Sequence, residues 1–179
     1  ASICDQLEIP HHIIDTRETF KEEIVQGVIQ GYQEGITPIP CSRCNRSVKF
    51  NSMLDWAQTN LNINRIATGH YARVEYAKDL IPNEKSNNQA SNRHKLLRGI
   101  DKNKDQSYFL YDLSQEILGR VVFPLGGMNK SDTREEASHY GLSTAKKPES
   151  QDFCLAEHHG SMKAFLDTYL SPREGKIVL

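Results

Sequence analysis

Two thiols three residues apart, Cys41 and Cys44 in Pro40-Cys41-Ser42-Arg43-Cys44-Asn45-Arg46, are the residues of this chain best suited to chemistry. A thiol acts as nucleophile or metal ligand in its thiolate form. Arg43, Arg46 or the start of a following helix would lower its pKa and favour that form. Two blander uses compete, half of a structural zinc site or a pair of buried packing thiols. Zinc asks for four ligands, usually as two such pairs, and the sequence holds no second pair, so redox or sulfur chemistry is preferred. Cys154, at the end of Lys146-Lys147-Pro148-Glu149-Ser150-Gln151-Asp152-Phe153, is the third candidate. A single cysteine is more often a small packed hydrophobe than a nucleophile, so its claim depends on the pair.

Other segments are weaker by composition. Asp101-Lys102-Asn103-Lys104-Asp105-Gln106-Ser107 reads first as a solvated helix start. Its functional reading is contact with phosphate and base edges, Gln106 offering both a donor and an acceptor. Phe123-Pro124-Leu125-Gly126-Gly127 reads as a packed turn, since Walker spacing is missing. His158-His159 reads as surface, and His70 draws notice only by following Gly69.

The elements that must position these residues follow from periodicity. The apolar run His11-His12-Ile13-Ile14-Asp15 suits a buried strand, and Asp15 with Glu18 suits a capping box. Phe20, Ile24, Val28 and Tyr32 then fall four apart until Gly35 supplies a left-handed stop, which predicts an amphipathic helix. Thr37-Pro38-Ile39-Pro40 is expected to be extended, which places both cysteines on a loop. A helix is predicted through Val48 to Leu61, a strand at Arg65 to Thr68, and a hairpin from Ala72–Tyr76 and Lys95–Gly99 around a polar stretch. Helical segments follow at Ser107–Leu113, Asp132–Tyr140 and Met162–Leu170, the last two flanking an irregular segment with Cys154. The αβαβ order predicts an α/β fold with a parallel sheet.

With 179 residues the chain can bury one substantial core plus a stub. Apolar residues at 37% and charged residues at 25% fit a folded globular protein. A net charge of −1 means that a polynucleotide partner would have to use a local basic surface. No apolar run nears the roughly 20 residues that span a bilayer, and the start lacks a basic-then-apolar signal, so no membrane and a cytoplasmic setting are expected. The four cysteines are too few and too scattered for a secreted disulfide scaffold.

Several segments, in this order, resemble the tRNA-specific 2-thiouridylase family over nearly the whole chain. They are Thr37-Pro38-x-Pro40 leading to Cys44-Asn45 and Lys49-Phe50, Ala67-Thr68-Gly69-His70-Tyr71, Leu97-Arg98-Gly99-x-Asp101, Lys104-Asp105-Gln106-Ser107-Tyr108, Phe123-Pro124-Leu125-Gly126, and Ser150 with Cys154. The resemblance implies a partial Rossmann-like ATP pyrophosphatase (PP-loop) domain at residues 1–160, with 161–179 opening a central tRNA-binding domain. It implies ATP with Mg2+, activation of the C2 oxygen of the wobble uridine as an adenylate, and displacement by sulfur. Cys154 would carry a persulfide and Cys44 would assist its release, closing a disulfide; Gly69 would contact nucleotide. Ile39, Pro40 and Cys41 would line the target base, and Lys104, Asp105 and Gln106 would contact tRNA. A cysteine desulfurase or relay protein would supply the sulfur.

The chain departs from this pattern at two places. Cys41 stands where many relatives carry an aspartate, and Asp152-Phe153 stands where Gly-Ile or similar is usual. The first substitution raises two alternatives: an iron-sulfur cluster on Cys41, Cys44 and Cys154 within the enzyme, or a non-catalytic metal-binding module using the same thiols. The chain opens on Ala1 within a helix and closes on Gly175–Leu179 as a strand begins. It therefore reads as an internal piece, inactive alone, without the Ser-Gly-Gly-x-Asp-Ser phosphate loop and the downstream domains.

Overall fold

The computed structural model describes residues 2–77, 93–148 and 154–171. Expectations for Ser150, Asp152-Phe153, the polar stretch between the hairpin strands and the closing strand fall outside them. A short helix α1 (Ser2–Gln6) opens the fold. Helix α2 runs from an α-helical turn (Arg17–Phe20) through a π-helical stretch (Lys21–Val25) to Gln26–Gln33. It buries Ile24 and Val28 as its spacing predicts, and Gly35 at φ +75° stops it.

Helix α3 begins one residue ahead of the cysteine pair, with an α-helical turn at Pro40–Arg43, a π-helical stretch at Cys44–Asn51 and α-helix at Ser52–Leu61. The expected loop is therefore corrected. Proline disfavours helix in the residue before it, and Ile39 is indeed outside; but Pro40 itself occupies the first helical position, where its missing N–H is not needed. The cysteines thus lie in a helix's opening turns. Residues Val48 and Phe50 are two positions apart, so they face different sides of α3 and enter two different cores.

The first core gathers Phe50, Leu54, Ala72, Leu110, Val121 and Phe123 around two small sheets. Strand β1 (Ile66–Ala67) pairs in parallel with β4 (Val121–Val122), while β2 (Ala72–Ala77) and β3 (Arg93–Arg98) form the predicted antiparallel hairpin, Ala72 opposite Arg98. Helix α4 (Gln115–Leu118) leads into β4, which is too short to announce itself by pattern. The 3-10 turn Pro124–Gly127 is a packed turn, as expected. A side-chain carbon on Gly126 would come within 1.8 Å of the Ala72 carbonyl oxygen, so only glycine lets this turn lie against β2.

The second core joins α2 to the later helices. Helix α5 (Lys130–His139) ends before Gly141, at φ +64° as its stop position predicts. Helix α6 (Cys154–His159) and helix α7 (Met162–Asp167) send Leu155 and Phe165 between Ile24, Val28 and Val48. Cys154 thus lies in helix α6 rather than in the irregular backbone expected at that residue.

Two further expectations change. Residues 11–15 form no strand, and Ile13 is 85% exposed, because among the described residues no neighbouring strand lies beside them to satisfy their backbone groups. His12 instead rests on the Trp56 ring. The Asp15–Glu18 capping box is absent: Asp15 accepts from the Arg17 backbone N–H at 3.1 Å and from its guanidinium, which holds the Asp15 carboxyl at a pKa of about 2. No helix among the described residues is long and apolar enough to cross a membrane.

Candidate active site

The fold brings Cys41, Cys44 and Cys154 into one neighbourhood. Leu155 anchors α6 in the core that also contains Val48 of α3, and Cys44 packs against the same cluster. Cys41 and Cys44 are half-buried, Cys154 is exposed, and all are free thiols. Burial pushes both the Cys41 and Cys44 thiols up; the charge that Cys154 would carry pushes the same way, and the Lys49 ammonium opposes it. The expectation that Arg43 and Arg46 lower these pKa values is corrected, because both arginines are engaged elsewhere. Arg43 pairs with Glu23 at 2.9 Å and Arg46 with Asp112 at 2.7 Å. Lys49, quoted in the sequence only as part of a motif, is the cation these thiols feel. The π-helical stretch from Cys44, closing its turns over five residues rather than four, carries Lys49 back above Cys44.

The arrangement does not fit a metal cluster. Among the described residues no three His, Cys, Asp or Glu side chains are grouped to hold a metal ion, so neither an iron-sulfur cluster nor a metal module finds its ligand set. Thiol exchange is less demanding, since it needs only one sulfur to meet another at a time.

His70 was underrated by its sequence. It contacts the Phe50 and Phe123 rings, and its Nδ1 lies 2.8 Å from Thr68 Oγ1. Burial, with Lys49 adding to it, lowers its pKa to about 4, so the ring is neutral at neutral pH. The folded value lies below the unfolded one near 6.5, so between those values the unfolded chain binds more protons. Stability is therefore complete above pH 6.5 and declines as pH falls toward 4. The half-buried ring is partly screened, and the loss expected from it is on the order of 1–2 kcal/mol between pH 7 and 4.5. Urea midpoints at the two pH values should show that decline in the parent protein, and His70→Gln should flatten it. An unchanged slope in the variant would assign the decline to other groups.

A second feature adjoins this one through Gly69. A cavity of about 480 Å³ opens among Gly69, Tyr71, Lys104, Gln106, Lys130 and Lys147. Its three lysines suit an anion such as phosphate. A side-chain carbon on Gly69 would meet only Leu125 Cδ1, at an ordinary 3.5 Å, so nothing in the protein's own packing demands glycine there. Gln106 is clamped to Tyr71, its Oε1 accepting from the Tyr71 backbone N–H at 3.0 Å and its own backbone N–H donating to the Tyr71 carbonyl at 2.9 Å. Asp105 is engaged within its loop, accepting from the Gly99 and Ser107 N–H groups and the Ser107 hydroxyl, with Arg98 nearby. Those bonds outweigh its desolvation and hold its carboxyl below the usual range. From that segment Lys104 and Gln106 line the cavity. Ile39 and Pro40 line a different hollow of about 310 Å³, beside Arg43, Arg46 and Tyr111.

The α/β core thus carries a hairpin, a group of neighbouring thiols and a lysine-lined cavity. The chain belongs to the family described as tRNA methyl transferase HUP domain, whose model matches residues 1–158, and the fold is Rossmann-like. It is 66% identical over 179 residues to the tRNA-specific 2-thiouridylase MnmA of Prochlorococcus marinus (strain MIT 9211), an alignment covering 100% of this chain and 44% of that protein. It is 64% identical to the protein of the same name from Synechococcus sp. (strain CC9902), covering 100% of this chain and 43% of that one. The chain thus spans less than half the length of these relatives.

Proposed function

We propose that this chain is the thiol-bearing part of an ATP-dependent tRNA sulfurtransferase that converts wobble uridine to 2-thiouridine. The observation that carries the reading is the convergence of Cys154 with Cys44, through Leu155 and Val48 sharing one core. Exposed Cys154 accepts sulfur from a donor protein, a cysteine desulfurase or a relay, and holds it as a persulfide. The Cys44 thiolate attacks the Cys154 Sγ, a Cys44–Cys154 disulfide forms, and hydrosulfide leaves. Hydrosulfide adds to the C2 carbon of the adenylated uridine, and AMP departs with the original oxygen. Thiols in this arrangement suit sulfur transfer, since one sulfur can pass between them by exchange.

Gly69 and Lys104, with the free amide of Gln106, are assigned to the nucleotide and tRNA phosphate side of the cavity, with Mg2+ arriving on ATP. Ile39, Pro40 and Cys41 are assigned to the target base. Asp105 serves tRNA indirectly, by shaping the loop that presents its neighbours. A division near residue 160 and action in the cytoplasm complete the proposal.

Full-length enzyme, given ATP, tRNA and a persulfide donor, should yield 2-thiouridine detectable by mass spectrometry of the digested tRNA. A methylated base in its place, or sulfur incorporation without ATP, would overturn the assignment. Gly69→Ala should leave the urea midpoint within about 0.5 kcal/mol of the parent, since the added methyl group fits the protein. It should weaken ATP binding by about tenfold or more, by occupying space the nucleotide needs. Unaltered affinity in a calorimetric titration would remove Gly69 from the nucleotide site.

A further inference from the structure

Cys41 is left without a task by a relay of two thiols, yet its position in α3 gives it one. The Cys44 N–H points to both the Pro40 and the Cys41 carbonyls, so the turn between the two cysteines is part-way to a 3-10 turn. In an α-helix, residues three apart have Cβ atoms about 5–6 Å apart. In a 3-10 turn the same residues eclipse, which brings Cys41 toward Cys44. A disulfide needs Cβ atoms about 3.5–4.5 Å apart, a further closure that the first turn of a helix, entered from the extended residues before Pro40, can supply. Both side chains are half-buried beside the same exposed thiol, Cys154.

We propose that Cys41 is a resolving thiol, which moves the disulfide from Cys44–Cys154 onto Cys41–Cys44 and so frees Cys154 to be loaded again. The Cys41 thiolate attacks the Cys44 Sγ in line with the existing bond. The Cys41–Cys44 bond forms, the Cys44–Cys154 bond breaks, and its electron pair leaves on Cys154. The proton lost from Cys41 is balanced by the one Cys154 regains, and no oxidant or reductant enters. Lys49, one π-helical turn beyond Cys44, favours the anion at Cys41 while the exchange proceeds. The exchange runs toward the pair that one helical turn already holds together and away from a link between two separate helices. It leaves the exposed thiol, the one a donor can reach, reduced.

This inference rests on the two-thiol relay above, and its test separates the two. Full-length enzyme with persulfide on Cys154 is mixed with ATP and tRNA for one turnover without reductant, quenched in acid, alkylated and digested with trypsin. Cleavage after Arg43 places Cys41 and Cys44 on different peptides, so each disulfide has its own mass. The parent should hold the Cys41–Cys44 disulfide in about tenfold excess over Cys44–Cys154, with Cys154 alkylated. Cys41→Ser should instead stop at Cys44–Cys154, with Cys154 protected until dithiothreitol is added. A parent that shows only Cys44–Cys154 at every time point refutes the resolving role alone. Formation of 2-thiouridine with no disulfide at any cysteine refutes the relay, and this inference with it.

Discussion

Cys154→Ser in the full-length enzyme should reduce 2-thiouridine formation by about 10³-fold or more while leaving the protein as stable as the parent to within about 0.5 kcal/mol. The first figure follows from removing a covalent carrier, since a serine hydroxyl cannot hold a transferable sulfur. The second follows from exposure: Cys154 stands in solvent, and Leu155 and Phe165 do the packing for α6 and α7. The two measurements, mass spectrometry of digested tRNA and a urea titration, are informative together. A metal-binding module built on the same thiols would show the opposite pattern, with lost stability and no catalysis to lose. Thiolation persisting in the variant would end the persulfide assignment.

Phe50→Ala should cost about 3–5 kcal/mol, the range for emptying the space of a fully buried aromatic ring. Phe50 has 0% of its surface exposed and lies at the centre of the first core. Its ring meets Phe123 edge-on at 6.1 Å between centroids and His70 at 5.6 Å. The substitution should therefore also be felt in the site: water reaching His70 would relieve the burial that depresses its pKa from the ordinary value to about 4, and the value should rise. Urea unfolding measures the first effect and a proton NMR titration of His70 the second. A cost under about 1 kcal/mol would mean that α3 is not fixed in the way the core implies. A large cost with an unmoved His70 would mean that other neighbours desolvate the ring.

Local physics was legible in the sequence wherever one element decides its own fate. The spacing of Ile24 and Val28 marked the buried face of a helix, and Gly35 and Gly141 stopped helices at positive φ. The hairpin expected from Ala72–Tyr76 and Lys95–Gly99 forms from Ala72–Ala77 and Arg93–Arg98, within two residues of the β-like runs that announced it. The thiols were legible as candidates by residue type and spacing. The start of α3 was misplaced because proline acts differently on the residue before it and on the helix it begins. The strand expected near Ile13 failed because a strand is a pairing, and apolar character alone does not supply the partner.

What the sequence determined, then, was the faces, stops and residue types, each set within a few bonds of the residue concerned. Tertiary structure alone decided that Cys154 comes into the neighbourhood of Cys41 and Cys44, that Glu23 and Asp112 take Arg43 and Arg46 away from them, and that Lys49 is left to act on the thiols. It also decided that His70 loses its water and that Gly126 lies against Ala72. Periodicity says that a face is buried but not against what, and the field at a thiol is a sum over groups that only folding brings near.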